Sequence, residues 1–231
     1  MPAAELASLT TPALADACLR LDVELRVAPA GLRPVIAGTT AAGSVLPVRH
    51  AGSVDGFFEA YERASEGDVL VVDNGGRTDE ACIGDLTVIE AREAGLAGML
   101  VWGLHRDTDE VVALGLPVFT YGSMPAGPLR ARPRPEDALE SAEFGPFTVS
   151  SQDAVLADAD GAVFVPLSRV DELVAAARAI MDVERAQADA ARDGTSLREQ
   201  MRFAEYLSRR ETDPSYTLRQ HLREVGGEIE E

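Results

Sequence analysis

Two short runs in this chain bring acids, an arginine and small residues together: Gly84-Asp85-Leu86-Thr87 and, further on, Gly103-Leu104-His105-Arg106-Asp107. Two carboxylates with several waters are the usual protein contribution to a Mg²⁺ site, so Asp85 and Asp107 form a candidate pair. Arg106 is suited to gripping a 2-oxo acid, because its guanidinium presents parallel N–H donors. A cation beside a helix start opposes the macrodipole by about 0.3–1 kcal/mol, which calls for an anionic ligand or a nearby carboxylate. An ordinary surface pair with Asp109 or Glu110 would explain it equally well. Asp107 alone would read as a first-turn acid, and it is Asp85, at the matching junction upstream, that suggests one shared crevice. His50 and His105 are weaker candidates, since histidine metal sites normally gather two or three such rings. Asp158 and Asp160 resemble a metal pair, but Asp160-Gly161 is better explained as a hairpin turn.

The elements that must carry these residues follow from periodicity. Thr10-Thr11-Pro12 reads as an N-cap and a first-turn proline, opening an amphipathic helix to about Leu21. Pro34 to Val48 reads as strand with an internal turn, and a short helix begins at Gly56. Asp68 to Asp73 is an apolar run suited to a strand covered on both faces, and it leads into Asp73-Asn74-Gly75-Gly76. Helix from Asp85 to Ala94, strand from Gly98 to Trp102, helix from Thr108 to Leu114 and strand from Pro117 to Tyr121 complete a βαβαβ pattern with parallel pairing. Both candidate runs then fall at carboxyl ends of strands, beside helix starts whose unpaired N–H groups can hold a carboxylate. Ala126 to Pro135, with Arg130, Arg132 and Arg134, is a polar connection. Val155 to Val165 reads as a hairpin. Ser168 and Asp171 suggest a capping box for a long helix, Val170 to about Ala191. One more helix is expected over 197–210, then a polar tail. These last residues are too few for a core of their own and should pack on the main domain or a neighbouring subunit. We divide the chain into a main unit, 1–193, and a helical extension, 194–231.

Composition narrows the chemistry. All 21 basic residues are arginine. Without lysine there is no Schiff-base aldolase, no pyridoxal-phosphate anchor and no Walker A loop. Cleavage of a carbon–carbon bond would then rely on a metal as electron sink. The formal charge of −18 and the lack of a concentrated basic face argue against nucleic acid as a partner. No apolar run approaches the ~18 residues of a membrane span, and the start lacks a signal core, so a cytoplasmic protein without membrane association is expected. Cys18 and Cys82 lack CxxC spacing and read as buried small residues.

In order, TPALADACLRL, GDVLVVDNGG, the GDL at Gly84 to Leu86, AGMLVWGLHRD ending at Asp107, LGLPVFTYGSMPAGP and ADADGAVFVP resemble the RraA-like family, which includes the class II 4-hydroxy-4-methyl-2-oxoglutarate (4-carboxy-4-hydroxy-2-oxoadipate) aldolases. The resemblance runs from about Thr11 to Ala191, with G-x-x-R-D after G-D-L as its most specific part. It implies a layered α/β fold of the swivelling β/β/α type, assembled as a homotrimer or homohexamer with sites at subunit interfaces. It implies Mg²⁺ or Mn²⁺ on Asp107, with Glu184 of a neighbouring subunit's long helix approaching it. Arg106 would hold the oxo group. Asp85 would act through a water on the metal, and the turn Gly84, Asp85, Leu86 and Thr87 would bind the carboxylate of a small 2-oxo acid. The activity implied is cleavage of a 4-hydroxy-2-oxo acid to pyruvate, with oxaloacetate decarboxylation through the same enolate. Trp102 and His105 depart from the residues usual in family aldolases, which implies an altered pocket wall.

The family also contains non-catalytic regulators of ribonuclease E, which lack the acid after the arginine; Asp107 favours the enzyme. A methyltransferase reading would want an early glycine-rich loop after a strand, and none appears. A scaffold role for the tail is a third reading.

Overall fold

The computed structural model describes residues 3–129 and 131–225; Arg130 of the polar connection and the end of the tail, 226–231, lie outside the described residues. The chain opens with α1 (Ala3–Leu6), α2 (Thr11–Arg20), β1 (Arg26–Val27), β2 (Arg33–Pro34), β3 (Ala41–Arg49) and α3 (Asp55–Glu62). There follow β4 (Val69–Asp73), β5 (Ala81–Ile83), α4 (Asp85–Glu93), β6 (Gly98–Trp102), β7 (Leu104–His105), α5 (Thr108–Leu114) and β8 (Val118–Thr120). Then come β9 (Ser141–Phe144), β10 (Phe147–Ser150), β11 (Asp153–Asp158), β12 (Gly161–Pro166), α6 (Val170–Arg192), α7 (Leu197–Gln200), α8 (Phe203–Thr212) and α9 (Leu218–Val225).

The main sheet runs β1-β12-β11-β3-β4-β6-β8-β2. Its joint is β3: Ala41 to Ser44 pair antiparallel with β11, whereas Val45 to Arg49 pair parallel with Val69 to Asp73. The parallel part continues through β4, β6 and β8, as the alternating pattern requires. Side chains on β4 alternate between faces. Leu70 and Val72 join Phe57, Val88, Ala91 and Val111 beneath α3, α4 and α5. Val69 and Val71 join Phe144, Val149 and Phe164 beneath the β9–β10 hairpin. Helices on one face and a second β layer on the other make the β/β/α stack. A third cluster packs α2 and α6 over β11 and β12.

Several expectations hold in detail. Thr10 caps α2, accepting from the N–H of Ala13. Asp158 closes the turn to β12 and takes two hydrogen bonds from Thr11, from N at 2.8 Å and from Oγ1 at 2.7 Å, tying the hairpin to the start of α2. Others are corrected. Ser168 makes no cap, because a 3-10 turn over Leu167–Arg169 precedes α6, and an acid of the helix's first turn, Glu172, pairs with Arg169 instead. The helix expected over 197–210 is broken at Arg202, which takes a left-handed conformation, φ +50°. The extension also makes a small core. Tyr206, Tyr216, His221 and Leu222 are buried, the three rings packing on one another, and the His221 Nε2–H donates to the carbonyl of Met201 at 3.0 Å. Gln200 ties it to α6 through the carbonyl of Gln187. Among the described residues no helix is long and apolar enough to cross a membrane.

Candidate active site

Register places Arg49, Asp73 and Trp102 side by side at the carboxyl ends of β3, β4 and β6. Just beyond, the chain makes a second, short parallel ladder in which β5 lies beside β7, with Ile83 opposite His105. The backbone N–H of Arg106 donates to the carbonyl of Ile83 at 3.0 Å. This ladder sets the starts of α4 and α5 next to each other, so the two runs singled out in the sequence meet.

They meet closely. A Cβ on Gly84 would fall on Oδ2 of Asp107 and 3.2 Å from Cγ of Arg106. Gly84 is extended (φ −152°), so glycine is needed there for space and not for backbone freedom. Asp107 is left-handed, φ +56° and ψ +48°, a conformation that costs most L-residues about 1–2 kcal/mol and that Asp tolerates better. That turn carries its carboxylate back over Gly84. Arg106 pairs with it, Nε to Oδ2 at 3.3 Å, rather than with Asp109 or Glu110. The guanidinium lies under the 126–128 segment, where a Cβ on Gly127 would sit 2.8 Å from Nη1.

A cavity of about 170 Å³ opens between these groups, and its walls include His50, Val54, Gly84, Asp85, Thr87, Arg106, Asp107 and Pro128. Asp85, Arg106 and Asp107 therefore share one crevice. The α4 turn is partly self-satisfied: the N–H of Leu86 donates to Oδ1 of Asp85 at 2.7 Å, and the Thr87 hydroxyl donates to the carbonyl of Gly84 at 2.7 Å. Glu184 is exposed on α6 and is not among the residues lining the cavity. Among the described residues no three His, Cys, Asp or Glu side chains are grouped to hold a metal within this chain.

The departures noted in the sequence do not shape this wall. Trp102 turns to the opposite face of the sheet, edge-on to Tyr121 at 4.8 Å and beside Phe144. His105 is buried, with Nδ1 2.8 Å from the Thr120 hydroxyl and Nε2 3.1 Å from that of Thr108. Burial outweighs its hydrogen bonds and the nearby Asp107, and holds its pKa below the usual histidine value. It is a structural residue with both nitrogens engaged. Asp73 is likewise structural, accepting from the N–H groups of Gly75 and Glu143. Burial pushes the Cys18 thiol up to about 11 and Cys82 further, so both stay protonated at neutral pH. His50 gains importance: it lines the cavity, its Nδ1 lies 2.9 Å from Oδ1 of Asn74, and its ring stacks on Phe57 at 5.4 Å. Burial lowers its pKa as well. In the sequence it stands alone at a strand end, and only the fold brings it to Arg106.

A family model described as RraA-like, Aldolase/RraA, matches residues 11–164. The chain belongs to the RraA-like family. A Bacillus cereus protein provisionally named 4-hydroxy-4-methyl-2-oxoglutarate aldolase is 33% identical over 105 residues, 46% of this chain and 65% of that relative, just under two thirds of its length. An uncharacterized protein from Pseudomonas syringae pv. tomato str. DC3000 has the same fold, with TM-score 0.73 and 24% identity over 85% of this chain and 94% of that one. So has Streptomyces coelicolor RraAS2, described as an unusual member of the RNase ES inhibitor RraA protein family, with TM-score 0.69 and 24% identity over 83% and 96% of the two chains. RraA-like proteins thus include both aldolase-named and inhibitor-named members, and the geometry of the cavity has to choose between them.

Proposed function

We propose that this chain is a carbon–carbon lyase that releases pyruvate from a 4-hydroxy-2-oxo acid and also decarboxylates oxaloacetate, with Mg²⁺ or Mn²⁺ as its cofactor. The observation that carries this reading is the meeting of Asp85, Arg106 and Asp107 in one cavity, with Gly84 left bare so that the Asp107 carboxylate can occupy the space. The donor set fits a hard divalent cation: carboxylate oxygens, no thiolate on the wall able to ionise at neutral pH, and room for water and substrate oxygens. Asp107 would hold the ion. Glu184 of a neighbouring copy would supply a further oxygen in a homotrimer or homohexamer, which accounts for the small number of ligands offered by one chain. When bound, the cation supplies Lewis-acid stabilisation of a developing enolate.

The chain's own residues do the rest. Arg106 directs its N–H groups at the oxo oxygen, where negative charge grows as the bond breaks, and its tether to Asp107 fixes that direction. The start of α4 offers backbone N–H groups and a helix dipole to the substrate carboxylate. For Leu86 this requires Asp85 to release the N–H it now accepts, which would free the Asp85 carboxylate to orient a water. Pro128 and Val54 add apolar surface to the cavity wall. An inhibitor of ribonuclease E would need none of this arrangement.

The test is pyruvate release, coupled to lactate dehydrogenase, from oxaloacetate and from 4-hydroxy-4-methyl-2-oxoglutarate, with Mg²⁺ and with chelator. Release that depends on the metal supports the lyase. Equal release with and without metal, or none from either substrate, removes it.

A further inference from the structure

We propose that His50 is a catalytic residue of the aldol cleavage, accepting the proton of the substrate's 4-hydroxyl on Nε2. This rests on the lyase reading of the cavity and adds to it a group that the RD and GDL runs do not contain.

Three observations converge on the ring. It lines the same small cavity as Asp85, Arg106 and Asp107, so that groups on its walls reach one bound molecule. Its Nδ1 is taken by Oδ1 of Asn74 at 2.9 Å. An amide oxygen only accepts, so Nδ1 carries the hydrogen and Nε2 the lone pair. Its plane is fixed by Phe57, 14° from parallel. Asn74 is itself almost wholly buried, and its Nδ2 has no partner among the described residues. Leaving a buried amide donor unpaired is costly, and that cost is tolerated here while Oδ1 orients the imidazole. The neutral ring is favoured by burial and, less, by Arg132, against the opposing pull of the Asn74 hydrogen bond, Glu80 and Asp55; Asp85, Arg106 and Asp107 share the cavity wall. A neutral imidazole with one nitrogen pinned, and with no hydrogen bond on the other among the described residues, is the form a general base takes.

The step balances without any co-reactant. The O–H bond at C4 breaks and its proton goes to Nε2. The oxygen's electrons form the carbonyl of the departing oxo acid, the C3–C4 bond breaks, and its electron pair becomes the pyruvate enolate. The proton held by His50 is the one that C3 then needs.

Oxaloacetate provides the internal control, because loss of CO₂ delivers the same enolate with no hydroxyl proton to remove. We expect His50→Gln, which keeps an amide beside Asn74, and His50→Phe, which keeps the stack on Phe57, to lower kcat for 4-hydroxy-4-methyl-2-oxoglutarate by about 10²–10⁴-fold. Decarboxylation of oxaloacetate should fall less than about threefold, well below the loss expected of a missing base. Equal losses of both activities in both variants would make His50 a structural residue and overturn the proposal, as would unchanged aldol cleavage. A wild type that decarboxylates but cleaves no 4-hydroxy acid would also overturn it while sparing the pyruvate-enolate site. A wild type without either activity would instead overturn the lyase reading itself.

Discussion

Replacing Gly84 with alanine separates the stability of the fold from the integrity of the site. The added methyl falls on Oδ2 of Asp107 and within 3.2 Å of Cγ of Arg106. At φ −152° the backbone itself accepts alanine without strain, and loss of a glycine from the unfolded chain stabilises by about 0.4–1 kcal/mol. Holding the Asp107 carboxylate in place against the methyl would cost about 1–3 kcal/mol. The carboxylate is about one-third exposed, at 36%, so it can swing outward instead. The expected balance is a change of less than about 1 kcal/mol in folding, or a Tm shift within about 4 °C for a chain of this size. Function should not be spared, since a displacement of about 1 Å at a reacting centre lowers rates by about 10²-fold. Calorimetry and pyruvate release from oxaloacetate over a Mg²⁺ titration provide the assay. Wild-type turnover at wild-type Mg²⁺ dependence in Gly84→Ala would refute the claim that the Asp107 carboxylate, where it now lies, holds the cation.

Other perturbations follow from the same geometry. Asp107→Asn keeps a residue tolerant of the left-handed conformation but removes the charge, so Tm should stay within about 2–4 °C of wild type while Mg²⁺-dependent turnover falls at least about 10²-fold; thermal scans and kinetics check both. Asp158→Ala removes two charge-assisted hydrogen bonds from Thr11 and should cost about 1.5–3 kcal/mol in urea unfolding. His50 and His105 both have folded-state pKa values lowered by burial. Below the ordinary value near 6.5 the unfolded chain therefore binds more protons than the folded one. Their contribution is present above about pH 6.5 and is lost as pH falls toward the folded values. Unfolding curves between pH 5 and 8 should show this loss, and His105→Asn should flatten it.

Much of this was legible because it is local. The βαβαβ pattern from Asp68 to Tyr121 follows from apolar runs separated by amphipathic stretches, and Thr10, Asp160 and Gly161 announce α2 and the hairpin by their own chemistry. Asp85 and Asp107 can be paired because both sit at strand–helix junctions of neighbouring parallel strands. What the sequence hides is set by partners distant along the chain. The β5–β7 ladder has only short, apolar segments and gains its identity from being laid side by side by β4 and β6. The β9–β10 hairpin escapes a sequence reading although Phe144-Gly145-Pro146-Phe147 carries a turn signal; Gly145 takes φ +69° and packs on Pro29. Trp102 and His105 read as pocket wall in the sequence, but strand alternation and two threonine hydroxyls turn them elsewhere. His50 gives no local sign, since its meaning depends on Asn74, Phe57 and Arg106 arriving together.

The central claim is that Asp107 and a divalent cation together release pyruvate. Its most direct test compares wild type with Asp107→Ala in oxaloacetate decarboxylation, each with Mg²⁺, with Mn²⁺ and with chelator, on protein whose oligomeric state has been verified. The account predicts release only in the metal-loaded wild type. Metal-dependent release retained by Asp107→Ala would contradict it.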